Sequence, residues 1–170
     1  MGKSPYSDLH KGAFWKTGVA QENPYVIEGI YKKKFNISPE TKIATAGSCF
    51  AQHISRHLKK NGYHVLDVEA PPPGLSANLH QKFGFSMYSA RYGNIYTVRQ
   101  LLQLAQEVAG KSKPQNFIWE KEGKYYDALR PAVEPEGLES AEEVIIHRKF
   151  HISRVRELFE SFDLFIFTLG

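Results

Sequence analysis

Between residues 42 and 69 the apolar positions form a strand-like block, a helical stripe and a second strand-like block. Lys42-Ile43-Ala44-Thr45-Ala46 is short and β-prone, and predicts a strand. Phe50, Ile54 and Leu58 recur at i, i+4 and i+8, the spacing of one helical face, which predicts a helix over 49–60. Asn61-Gly62 ends it, because glycine takes the left-handed conformation without steric cost. His64 to Glu69 alternates, with Val65, Leu66 and Val68 apolar, and predicts a second strand. A strand–helix–strand unit belongs in a parallel sheet with helices on its faces.

Further along, Pro71-Pro72-Pro73-Gly74 opens a long irregular stretch to about Asn94, whose Phe83, Phe85, Met87, Tyr88 and Tyr92 argue for packing. Thr97 and Gln100 have capping-box spacing and predict a helix with the stripe Val98, Leu101, Leu102, Ala105 and Val108, stopped by Gly110. Phe117 to Glu120 and Lys124 to Asp127 predict a hairpin across Glu122-Gly123. The longest helix is expected from Ser140-Ala141-Glu142-Glu143, with a core face of Val144, His147, His151, Val155, Leu158 and Phe162. Leu164 to Leu169 is an apolar run typical of a strand buried on both faces. Because the sequence reaches only Gly170 after it, the sheet is expected to be incomplete at its C-terminal side, where open α/β sheets build their sites. Residues 1–40 show no sustained period. They are expected to form an arm that packs through Phe14, Trp15, Tyr25 and Phe35, ahead of a domain over 41–170.

Composition narrows the class. With 170 residues, 42% of them hydrophobic and 13% aromatic, the chain has enough apolar side chain for one domain with one core. Its 22 basic and 18 acidic residues give a net charge of +4, a mildly basic mixed surface that gives no reason to expect nucleic acid as a partner. Lys32-Lys33-Lys34 is the one dense basic run and reads as a solvated loop. A single cysteine, Cys49, excludes an intramolecular disulfide and a cysteine-cluster metal site. The first twenty residues contain no continuous apolar segment of signal-peptide type, and no run approaches the ~20 apolar residues of a membrane span. A cytoplasmic protein without membrane association is expected; its oligomeric state is left open.

Chemistry concentrates at Gly47-Ser48-Cys49. A strand runs into the glycine and a helix leaves just after it, so the next side chains sit where unpaired N–H groups and the helix dipole favour negative charge. A thiol there gains thiolate character, and a serine becomes a nucleophile only beside a general base. The structural alternative makes Ser48 an N-cap and Cys49 a small buried hydrophobe. Gly93 N–H and the Asn94 amide are the kind of donors that form an oxyanion hole; loop closure with Asn94 as a cap is the other reading. Asp127 and Arg130 fit either an ion pair that anchors a loop or a clamp for a substrate anion. His53 with His57, and His147 with His151, are i, i+4 pairs, but zinc needs three or four ligands and no third is marked by spacing. No metal is therefore expected, and His151 reads as a hydrogen-bonded core histidine.

The run Ile43-Ala44-Thr45-Ala46-Gly47-Ser48-Cys49-Phe50-Ala51-Gln52-His53-Ile54 resembles the signature of the GSCFA family. Likeness continues through Pro5-Tyr6, Ala13-Phe14-Trp15, Ser89-Ala90-Arg91-Tyr92-Gly93-Asn94-Ile95-Tyr96-Thr97, Asp127-Ala128-Leu129-Arg130-Pro131, the His151 helix and Phe165 to Gly170. That family is similar to the SGNH, or GDSL, hydrolases. The resemblance implies a three-layer α/β/α fold with a parallel sheet of flavodoxin-like topology. It also implies ester hydrolysis or acyl transfer, without a cofactor, on a small-molecule or carbohydrate ester. Laid on the Gly-Asp-Ser pattern of those enzymes, Gly47 matches the glycine, Ser48 the aspartate and Cys49 the nucleophile; whether Cys49, Ser48 or neither reacts stays open. Gly93 and Asn94 fall near the glycine block. Gly170 matches the glycine of the third block, so the catalytic Asp and His are expected beyond it, and the present chain is expected to be inactive alone. The rival reading is a non-catalytic domain that holds an anionic or carbohydrate ligand at the helix N-terminus after Gly47.

Overall fold

Five consecutive residues, Ile43–Gly47, form strand β1, and every one of them is buried. They lie in the second of two compact units, Met1–Ile37 and Ser38–Gly170, of a computed structural model that describes residues 4–26 and 28–169. Strand β4, Leu164–Thr168, runs parallel to β1, with Ile43 opposite Leu164 and Gly47 opposite Thr168. Val65 forms a single parallel bridge to Ile43 on the other edge of β1. There the Ile43 N–H donates to the His64 carbonyl and the Leu66 N–H to the Ile43 carbonyl, each at 2.9 Å.

The second strand expected over His64 to Glu69 shrinks to that one bridge. Ser89 has taken the next position on β1. Its N–H donates to the Thr45 carbonyl at 3.2 Å, and its Oγ accepts the Thr45 N–H at 2.9 Å. Val68 turns aside and donates its own N–H to the Ser89 carbonyl at 2.9 Å.

Small side chains on β1 let the layers close. Ala44 and Ala46 share a face with their partners Phe165 and Phe167, and Val155 and Leu158 of helix α4 pack in the same cluster. Burying each of the latter two contributes about 1.5–3 kcal/mol. Ile43 and Thr45, on the alternate face, are fully buried as well. Strand β4 is only half-buried along its length, against the expectation of burial on both sides, because among the described residues it has a partner on one edge only.

Helix α1, Ala51–Lys60, begins after a turn at Ser48–Phe50, so Phe50 precedes the first helical residue and is exposed instead of joining the predicted stripe. Ala51 and Ser55 are its buried positions, flanked by half-buried Ile54 and Leu58. A short helix, α2 (Ala77–Lys82), interrupts the stretch expected to be irregular. Helix α3, Val98–Val108, has the predicted capping box: Thr97 Oγ1 accepts the Gln100 N–H at 3.2 Å and Gln100 Oε1 accepts the Thr97 N–H at 3.0 Å. Its inward side is Leu101, Leu104, Ala105 and Val108; Val98 and Leu102 are exposed, so the stripe is rotated from the expected one. Strands β2 (Ile118–Lys121) and β3 (Lys124–Asp127) form the antiparallel hairpin. Its turn holds Glu122 and Gly123 at φ 54° and 73°, the primed geometry that two-residue hairpins favour.

Helix α4, Ala141–Ser161, is capped by Ser140, whose side chain accepts the Glu143 N–H at 3.2 Å. Its buried positions are Val144, Arg148, His151, Val155 and Leu158. Arg148 thus occupies the core face where His147 was expected; His147 is exposed, and Phe162 lies just past the helix, half-buried against Phe165. The observed class is mixed α/β around a two-stranded parallel sheet, with a separate two-stranded hairpin.

The first unit holds a 3₁₀ turn at Lys11–Ala13 and a π-helical turn at Lys16–Ala20. Phe14, Trp15, Tyr25 and Phe35 are exposed, as are Lys32, Lys33 and Lys34. Among the described residues no helix is long and apolar enough to cross a membrane. The expectation placed on Gly170 lies outside the described residues.

Candidate functional site

At the carboxyl end of β1 the backbone of Gly47 has φ 140°, and a Cβ there would stand 2.4 Å from the Thr168 carbonyl oxygen. Glycine is required both by conformation and by the approach of β4. Beyond it the Ser48 N–H donates to the Thr168 carbonyl at 3.1 Å, and Ser48 Oγ lies 3.3 Å from Thr168 Oγ1. The two candidate nucleophiles therefore part company. Ser48 is buried against β4, whereas Cys49 is an exposed free thiol on the turn. Neither fits the structural alternative, since Phe50 occupies the N-cap position of α1 and Cys49 is not buried. Among the described residues no histidine hydrogen-bonds Ser48 or Cys49. His53 and His57, both exposed, lie further along α1.

A second segment is tied to this turn. The Ile95 N–H donates to the Gly47 carbonyl at 2.8 Å, and Tyr92 OH donates to the Thr45 carbonyl at 2.6 Å. Tyr88 is buried, with its hydroxyl 2.5 Å from Asn94 Oδ1 and 3.3 Å from the Ser48 carbonyl. Asn94 Nδ2 donates in turn to Tyr96 OH at 2.9 Å. Burial, and then the nearby Cys49 and Tyr96, push the Tyr88 phenol up to about 12. Burial also drives the Tyr92 phenol upward. Gly93 has φ 68°, and an added Cβ would meet its neighbours only at ordinary contact distance, so conformation alone requires glycine there. Asn94 is exposed and does not cap α3, a role held by Thr97.

Asp127 and Arg130 lie elsewhere, in a buried charge network. Arg130 Nε donates to Asp127 Oδ2 at 2.8 Å, and Arg148 Nη1 reaches the same oxygen at 2.9 Å. Arg148 Nε also donates to Glu107 at 2.8 Å. The remaining Arg130 bonds go to the carbonyls of Arg91 and His147, each at 3.2 Å. Burial alone would raise the Asp127 carboxyl, but Arg148 and Arg130 outweigh it and hold it below the usual range.

His151 is a hydrogen-bonded core histidine, with Nδ1 2.7 Å from Glu69 Oε2. Glu69 also accepts the Arg91 N–H at 2.6 Å. Burial, with Arg130 and Arg148, lowers the imidazole below its ordinary value against the pull of Glu69. Burial opposes ionisation of Glu69, yet His151, the Arg91 N–H and Arg130 hold its carboxyl low. Among the described residues no three His, Cys, Asp or Glu side chains are grouped to hold a metal ion.

A cleft of about 660 Å³ is lined by residues that include Asn94, Tyr96, Gln103, Arg130, Arg148 and His151. Its volume is that of a small-molecule site. Ser48 and Cys49 do not line it; the cleft shares Asn94 and Tyr96 with the hydrogen-bonded chain that starts at Tyr88. Tyr88, Arg148, Glu107 and Glu69 were not singled out from sequence as site residues. Tyr88 carried one signal, since a tyrosine among buried aromatics needs a partner for its hydroxyl.

The strand, the glycine turn and the outward thiol define an α/β domain with its candidate chemistry at the end of its first strand. Residues 42–170 match the GSCFA family, and the chain belongs to that family. No curated protein and no solved structure matches it.

Proposed function

We propose that this chain carries the nucleophile side of an SGNH-like acyl-transfer site in which Cys49 attacks a small-molecule or carbohydrate ester. The observation that carries the reading is the split at the turn: Cys49 is exposed while Ser48 is buried against Thr168. The position also supports it. Open α/β sheets bind ligands beyond the carboxyl ends of their strands, where neighbours depart to opposite sides. Here β1 has the Val65 bridge on one side and β4 on the other. That order supports a flavodoxin-like sheet, which we extend to a three-layer α/β/α domain.

In this mechanism the Cys49 sulfur adds to the ester carbonyl carbon, and the carbonyl oxygen becomes an oxyanion. Gly93 N–H and the Asn94 amide donate to that oxygen. Collapse breaks the ester C–O bond; the alcohol departs with the thiol proton and leaves a thioester on Cys49. Water or an acceptor alcohol then cleaves the thioester and returns the thiol. Ser48 shapes the turn through its bond to β4. The sequence of steps needs no cofactor, and a free thiol suits reducing cytoplasm.

Turnover of p-nitrophenyl acetate by the full-length gene product tests the reading. Cys49→Ala is expected to lower kcat/KM by about a thousandfold or more, whereas Ser48→Ala keeps at least about a hundredfold more turnover than Cys49→Ala. An acetyl adduct on Cys49, seen by mass spectrometry after rapid quenching, is the expected intermediate. Turnover unchanged in Cys49→Ala overturns the proposal and leaves the ligand-holding alternative.

A further inference from the structure

Asn94 is exposed, yet its amide is not free to turn. Its Oδ1 accepts the Tyr88 hydroxyl at 2.5 Å and its Nδ2 donates to Tyr96 OH at 2.9 Å. Tyr88 is 1% exposed, so its ring is held by the core and the hydroxyl emerges at a fixed point beside the turn. The same hydroxyl is 3.3 Å from the Ser48 carbonyl, which already accepts the Ala51 N–H at 2.9 Å. The shorter contact with Asn94 therefore takes the single phenolic proton. A phenol is the right group for this duty, because with its ionisation pushed up to about 12 it remains a donor at any working pH. A donor at Oδ1 selects one of the two amide orientations. It turns Nδ2, with two N–H groups of which Tyr96 takes one, away from the core.

We propose that Tyr88 is a positioning residue that locks the Asn94 amide with its spare N–H presented as an oxyanion donor. The inference rests on the acyl-transfer reading above. Preorganised donors are effective because they need no reorientation as charge develops. Without the Tyr88 hydroxyl the amide can flip, and the flipped orientation presents its acceptor oxygen to the oxyanion.

Tyr88→Phe keeps the buried ring and removes the hydroxyl. The Ser48 carbonyl retains its bond from Ala51, and Asn94 Oδ1 can turn to water, so folding should be preserved. Expected for p-nitrophenyl acetate is a kcat about tenfold lower with KM unchanged, the loss equivalent to one hydrogen bond. In an Asn94→Ala background the same substitution should have no further effect on kcat. That non-additivity separates action through Asn94 from general loosening of the core, which would lower both backgrounds alike. Equal kcat in Tyr88→Phe and the parent overturns the inference, as does an undiminished effect in the Asn94→Ala background. Cys49→Ala in the same assay reports on the nucleophile independently. Loss there with no Tyr88 effect refutes the positioning role alone; no loss there refutes the acyl-transfer reading itself.

Discussion

Position 47 has no room for a methyl group. An added Cβ would lie 2.4 Å from the Thr168 carbonyl oxygen, on a backbone with φ 140°. Gly62, at φ 79° with nothing within 4 Å of its added Cβ, has the conformational constraint without the collision. Gly47→Ala is expected to cost about 3 kcal/mol or more from strain and overlap together, and Gly62→Ala about 1–2 kcal/mol from conformation alone. Urea denaturation of both variants checks the difference; equal losses would mean that β4 does not crowd the turn. The Gly47-Ser48-Cys49 turn was legible in the sequence because strand, glycine and helix follow one another locally. The opposite directions of Ser48 and Cys49 were not. Ser48 is drawn inward by Thr168, 120 residues further along the chain.

Among the elements, α4 shows where periodicity stops being informative. Spacing marks both His147 and Arg148 as near the core face, and hydropathy favours the histidine. The structure buries Arg148 because Glu107 from α3 and Asp127 from β3 meet its guanidinium. Asp127→Asn leaves two buried guanidinium groups short of a counter-charge and is expected to destabilise by about 3–5 kcal/mol, seen as a lower Tm in calorimetry. The acid limb follows the same carboxylate. Its ionisation is held below the unfolded value near 4, so its stabilisation is complete above that value and is lost as pH falls through the folded one. Local signals did find the capping box of α3, the Ser140 cap of α4 and the hairpin turn, whose partners lie within four residues. They missed the loss of the second strand, because Ser89 competes for β1 from far along the chain.

For the whole molecule, the predicted mixed α/β character follows from the strand–helix alternation. The long-range charge placement does not, since it depends on which loops meet. His151 stands at the centre of that placement, with Glu69, Arg130, Arg148 and the edge of Tyr92 around it. Its imidazole is held below the unfolded value near 6.5, so the unfolded chain takes up the proton first. Stability is expected to be full above that pH and to decline as pH falls below it, before the carboxylates contribute. Urea midpoints measured from pH 7.5 to 4.5 should show this slope, and His151→Gln should flatten its upper part. A flat parent profile between pH 7 and 5 would contradict the buried neutral imidazole.

The pairing of β1 with β4 also has a consequence in time. A parallel pair whose members are 121 residues apart in sequence closes only when the later strand exists, and such distant contacts form slowly. On the ribosome, residues 43–51 emerge well before β4, but the carbonyl that orients Ser48 belongs to Thr168. Until β4 has been made, the cysteine therefore belongs to a segment that lacks this contact. The turn that distinguishes one side chain from the next is completed only as β4 docks.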